Sequence, residues 1–81
     1  MGRLRVMSRK GDSVVAWEKD KLAAQDPEAI AAVREAERIF AEERARGATA
    51  FIVETGKPAQ RINRFDQDAE QIVIVPRVAG G

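Results

Sequence analysis

The sequence predicts an α+β domain, a mixed sheet with one long helix packed across it, and three observations carry that expectation. A helix is bracketed by explicit start and stop residues between Asp26 and Gly47. β-forming apolar runs stand on both sides of it. The last of these, Ile72 to Val75, is apolar at every position, the pattern of a strand covered on both faces in the middle of a sheet.

Leu4 to Met7, alternating with Arg3 and Arg5, form the first expected strand. "SRKGDS" then supplies a Gly-Asp turn before the apolar "VVAW" of Val14 to Trp17, which together make a hairpin signal. Trp17 is assigned to core or strand-edge packing. Glu18 to Gln25 is polar, of mixed charge, with little to bury, and reads as a connector with room for a ragged helical turn.

The helix begins at Asp26-Pro27-Glu28. Asp can accept from the orphan N–H groups, Pro has no N–H to leave unpaired at the first position, and Glu complements the positive end of the helix dipole. Arg44 and Arg46 stand near the negative end, and Gly47 can take the left-handed conformation that closes a helix. Ala29, Val33, Ala36 and Phe40 make one apolar stripe, flanked by Ile30 and Ile39, while Arg38, Glu42 and Arg46 form an i,i+4 ladder outside. "ATAFIVE" reads as a strand closed by Gly56-Lys57-Pro58, and "QRINRF" as a weaker one centred on Ile62. "DQDAE" is a polar turn. After "IVIV", Pro76 forbids further donation to a ladder.

Composition narrows the functions. At 81 residues the chain forms one core, because a chain this short buries only about two-thirds of the surface it exposes unfolded. It is 44% apolar and 33% charged, a globular balance, without the apolar run of about 18 residues that a membrane span needs. "MGRLRVMS" has no apolar signal core and carries Val6 where a myristoylation pattern wants Ser or Thr, so a cytoplasmic location is the default expectation. Cysteine and histidine are both absent, which removes disulfides, thiolate and imidazole metal sites, and nucleophiles that rely on an imidazole base.

The net charge of +1 implies no strong field toward nucleic acid or membrane, and a protein partner is expected. Arg3, Arg5, Arg9 and Lys10 read as a solvated strand face without the interleaved aromatics of a single-strand binder. Asp66, Asp68 and Glu70 lack the glycine and distant bidentate Glu of a calcium loop, so no metal site is expected there.

The order β-β-α-β-(β)-β with an apolar final strand fits a β-grasp, and the chain ends "VPRVAGG". Element order and tail together resemble the ubiquitin-like β-grasp family, which includes protein modifiers and the sulfur carriers of thiamine and molybdopterin synthesis. "VAGG" is similar to the sulfur-carrier ending, which usually has a second proline where this chain has Arg77. Ubiquitin, counted back from its terminus, carries an arginine at the place of Arg77 and a valine at the place of Val75.

The resemblance implies a domain over residues 1–76, a flexible reactive tail over 77–81, and a chain that is a protein co-substrate rather than an enzyme. An E1-like adenylating enzyme, using ATP and Mg, would activate the Gly81 carboxylate. A conjugating enzyme, a deconjugating protease and target proteins are further implied partners, and this chain itself binds no cofactor.

Glycine suits positions 80 and 81 because a tail without Cβ lies flat in a narrow channel and leaves the carbonyl open to attack. Pro76 ends the strand, so that Arg77, Val78 and Ala79 can pair with a partner as an extended segment, with Arg77 a charged anchor for an acidic groove. If Ile72 and Ile74 face the helix, Val73 and Val75 face the other way with Met7 beside them, an apolar cluster suited to docking. Three functions stand open: protein modifier, sulfur carrier with a C-terminal thiocarboxylate, and non-reacting interaction module. Lys10, Lys19, Lys21 and Lys57 are the lysines on which copies could be chained, and no feature marks one of them.

Overall fold

A computed structural model describes residues 1–7 and 11–77. The chain runs β1 (Gly2–Val6), β2 (Ser13–Trp17), α1 (Lys19–Ala23), α2 (Pro27–Ala45), β3 (Thr49–Ile52), β4 (Gln60–Ile62) and β5 (Ile72–Val75). The five strands form one mixed sheet in the order β2-β1-β5-β3-β4. β1 pairs antiparallel with β2 and parallel with β5, and β3 pairs antiparallel with both β5 and β4. β5 therefore lies at the centre, as its unbroken apolar run implied. β1 begins two residues earlier than the sequence suggested, at Gly2.

α2 starts and stops for the reasons its sequence offers. The Asp26 side chain accepts from the backbone N–H of Glu28 at 2.9 Å and of Ala29 at 3.4 Å, two donors that have no partner within the helix. At the other end Gly47 sits at φ +92, with its N–H donated to the Arg44 carbonyl at 3.0 Å and that of Ala48 to the Glu43 carbonyl at 3.0 Å. This is the paired closure that a left-handed residue after the last turn permits. α1 is a single short helix in the expected connector, and it closes the same way at Gln25, whose φ is 60. Replacing Asp26 with alanine is expected to cost about 1 kcal/mol by removing the cap, measurable as a lower urea midpoint at unchanged slope.

The core lies between α2 and one sheet face. Ala29, Val33, Ala36 and Phe40 of α2 are buried, the same four residues as the expected stripe. Leu4, Ile72 and Ile74 are fully buried on the sheet side, with Val6, Trp17 and Ala50 around them. Ile30 and Ile39 are half-buried at the margins. One expectation about the outer helix surface needs correction. Arg38 does reach Glu42, at 2.8 Å, and also Glu35, but Arg46 turns back to Glu43 at 3.4 Å instead of continuing the ladder to Glu42. Arg46 is the C-cap, and the backbone leaves helical geometry at Gly47, so the i−3 carboxylate is the nearer one.

Phe65, just past β4, ties the return segment to the core. Its ring centroid lies 5.8 Å from that of Trp17 and 5.9 Å from that of Phe40, the latter edge-on. The Trp17 indole N–H donates to the Gln67 carbonyl at 3.2 Å. "DQDAE" does form a turn, in which the Asp66 carboxylate accepts the Asp68 N–H at 2.9 Å. Among the described residues no helix is long and apolar enough to cross a membrane.

Candidate functional site

The candidate site has two parts: the open face of the sheet, turned away from α2, and the end where β5 leaves it. Strand periodicity builds the first. Leu4, Val6, Ile72 and Ile74 point at the helix, so their neighbours Arg3, Arg5, Val73 and Val75 point away. The ladder continues one residue beyond β1, because the Met7 N–H donates to the Ile74 carbonyl at 3.0 Å, which sets Met7 level with Val75. Met7 is 43% exposed, Val75 38%, and Val73 half-buried. The structure thus brings Met7, Val73 and Val75 onto one face.

That face is wider and less uniformly apolar than the three residues suggest. Across it the register aligns Val14, Arg5, Val73, Phe51 and Arg61 in one row. Phe51 is half-buried, and Val14 and Val53 are exposed. Arg5 crosses the row between two valines, and its guanidinium forms an ion pair with Asp12. Sequence reasoning passed over Phe51, Val53 and Val14. The signal that would have found them is the same period of two, applied to β2 and β3 once β5 was taken as the centre.

The second part lies where β5 ends. Pro76 is half-buried and Arg77 exposed. Val78, Ala79, Gly80 and Gly81 lie outside the described residues, as does Lys10. Thr49 is the register partner of Val75, and α2 leads into β3 through Gly47 and Ala48, so the C-terminal end of α2 and the exit of β5 share one end of the molecule. Arg77 lies across that helix end: a Cβ placed on Gly47 would stand 3.2 Å from Arg77 Cδ. Arg44 lies at the same end, donating to the Ala48 carbonyl at 3.3 Å and to the Asn63 side-chain oxygen at 3.2 Å. Arg77 is thus one member of an arginine group.

The opposite end carries charges of both signs. Asp26 and Glu28 open α2, Glu18 precedes α1 and Asp20 lies in its first turn beside Lys19 and Lys21, and Glu70 stands before β5 with Arg3 and the N-terminus nearby. The Glu70 carboxylate accepts from the Thr55 backbone N–H and hydroxyl, both at 3.0 Å, and these donors hold its pKa below the usual carboxylate value. Glu35 is lowered likewise by its hydrogen bond from Arg38. Lys19 is tied to this end through the Asp68 carbonyl. Among the described residues no group of three or more acidic, histidine or cysteine side chains is placed to hold a metal ion.

No family model, curated protein or solved structure matches the chain.

Proposed function

We propose that this chain is a ubiquitin-like β-grasp protein, adenylated at the Gly81 carboxylate by an E1-like enzyme and then joined to target proteins. The observation that carries the reading is the course of β5. It is the central strand, parallel to β1, and runs through Pro76 directly into "RVAGG", so a well-anchored strand supplies the root of the tail. The strand order and the single long helix across one face agree with a β-grasp.

The chemistry asks little of this chain. The terminal carboxylate is ionised at neutral pH, since such groups titrate near about 3.5, and is a poor electrophile. One of its oxygens attacks the α-phosphorus of ATP and pyrophosphate leaves, which gives a mixed anhydride with AMP. A target lysine amine then attacks the carbonyl, AMP departs, and an isopeptide bond forms with loss of the amine proton to solvent. The metal and the positive charges for the first step belong to the activating enzyme. The chain supplies the carboxylate, an unhindered glycine approach and a surface to hold, for which Met7, Val73 and Val75 are the apolar candidates and Arg77 the charged one.

"VAGG" supports a second reading, in which sulfide from a donor attacks the same anhydride and leaves a C-terminal thiocarboxylate. One assay separates the outcomes. With the cognate activating enzyme and ATP, intact mass is expected to reveal the adenylate-dependent product: adducts on target lysines for a modifier, a thiocarboxylate for a carrier. Deleting Gly80 and Gly81 is expected to abolish pyrophosphate exchange and leave thermal unfolding unchanged. A chain that supports no exchange when intact and loses no function on that deletion would refute both readings and leave an interaction module.

A further inference from the structure

We infer that β2 is a pairing edge for a second copy of this chain, through which two domains join into one continuous sheet about a two-fold axis. The inference goes beyond the proposed function and does not depend on the tail. It starts from the backbone groups that the sheet leaves over. The Met7 N–H donates to the Ile74 carbonyl, so the odd-numbered residues of β1 turn their N–H and C=O groups toward β5 and the even-numbered ones, Gly2, Leu4 and Val6, turn theirs toward β2. Their register partners Trp17, Val15 and Ser13 are satisfied by them. Val14 and Ala16 therefore point their N–H and C=O groups the other way, off the edge of the sheet. Among the described residues no backbone hydrogen bond reaches these outward groups, and both residues are exposed.

The two edges of the sheet differ. β4 is only three residues long, with Arg61 at its centre and Pro58 shortly before it, and shortness, charge and proline are the devices that keep a further strand off. β2 has five residues, "SVVAW", with no charge and no proline, and its pairing with β1 runs without a bulge. A regular, uncharged edge of this kind is a template for another strand.

A second copy fits that template by symmetry. With Val15 set antiparallel against Val15 of the second copy, Val14 of each chain meets Ala16 of the other, and every outward donor and acceptor is used with none left over. The central pair is of the close, non-hydrogen-bonded kind, so the two Val15 side chains meet on the face that carries α2, beside the cores against which they already pack. On the open face the Val14 and Ala16 side chains of both copies form one apolar strip, flanked on each side by Arg3 and Arg5. Within the strand no charges oppose each other. Just outside it the register sets Asp12 opposite Glu18 of the second copy, and the ion pair with Arg5 offsets the Asp12 charge. The contact is isologous and closes at the dimer. β5 lies on the far side of β1, so Pro76 and Arg77 stay clear of it.

The test is sedimentation equilibrium of the full chain over about 0.01–1 mM. The mean mass is expected to rise from 8.9 kDa toward twice that value, with half-association near about 0.1 mM, because pairing along one short strand buries less than a standard interface. In a sample mixing labelled and unlabelled chain, isotope-filtered NOEs are expected between the Val15 α-protons of the two copies. Val14→Pro removes an outward N–H and none that bonds to β1, and is expected to weaken association about tenfold or more, with its thermal midpoint confirming an intact fold. If that variant unfolds, the NOEs of the unaltered chain decide. A chain still monomeric at about 1 mM would overturn the inference and leave the edge to a strand of another protein. A dimer whose NOEs lie elsewhere, growth beyond the dimer, or association unchanged in a folded Val14→Pro variant would overturn it as well.

Discussion

Ile74→Ala is expected to destabilise the domain by about 2–5 kcal/mol, whereas Val75→Ala, one residue on, is expected to change stability by about 0.5 kcal/mol or less. The two side chains leave the same strand in opposite directions. Ile74 is fully buried beneath α2 and pairs in register with Ala50 and Val6, so truncation opens a cavity that neighbours on three elements cannot close. Val75 stands on the open face, 38% exposed. A domain of 81 residues has a total stability of about 4–12 kcal/mol, so the first variant forfeits a large share of it. Urea unfolding at matched temperature measures both. Equal losses at the two positions would mean that the face assignment, and with it the candidate docking surface, is wrong.

The second large effect concerns Trp17. Its replacement by alanine is expected to cost about 3–5 kcal/mol, because the indole is buried, packs against Phe65 and holds the return segment through Gln67. Gly2 belongs to the same unit. A Cβ on Gly2 would stand 2.5 Å from Trp17 Cε2, closer than carbon atoms approach without displacement. Gly2→Ala is therefore expected to cost about 1–3 kcal/mol through overpacking, although alanine is otherwise acceptable in a strand. The cause is checked by a double-mutant cycle: in the Trp17→Ala background the Gly2→Ala penalty is expected to vanish, and a coupling energy near zero would place its origin in the backbone instead.

These two cases mark where the sequence is informative and where it is not. Ile74 could be read from local pattern, because period two and an unbroken apolar run are properties of adjacent residues. The same holds for α2, whose cap, stripe and closing glycine are all within one segment. Met7, Val73 and Val75 could be placed on one face by the same rule. Gly2 carries no such signal: nothing near it indicates that a tryptophan fifteen positions away in the chain will lie against it. Phe65 is similar, an aromatic in a polar stretch whose partners come from β2 and α2. The arginine end was legible only as Arg77, since Arg44 comes from α2 and meets it through the fold.

The parallel pairing of β1 with β5 also sets the order in which the molecule can be made. β1 with β2, and β3 with β4, are each local hairpin-like pairs, and β5 is the seam that joins them into one sheet. Until Ile72 to Val75 have been synthesised and released from the ribosome, α2 has only half a surface to pack on. Folding must close the longest loop in the domain, which makes it slower than that of a helical domain of similar size. A chain cut short of residue 72 keeps two unjoined ribbons, so the sheet and the core beneath α2 are complete only when β5 is in place.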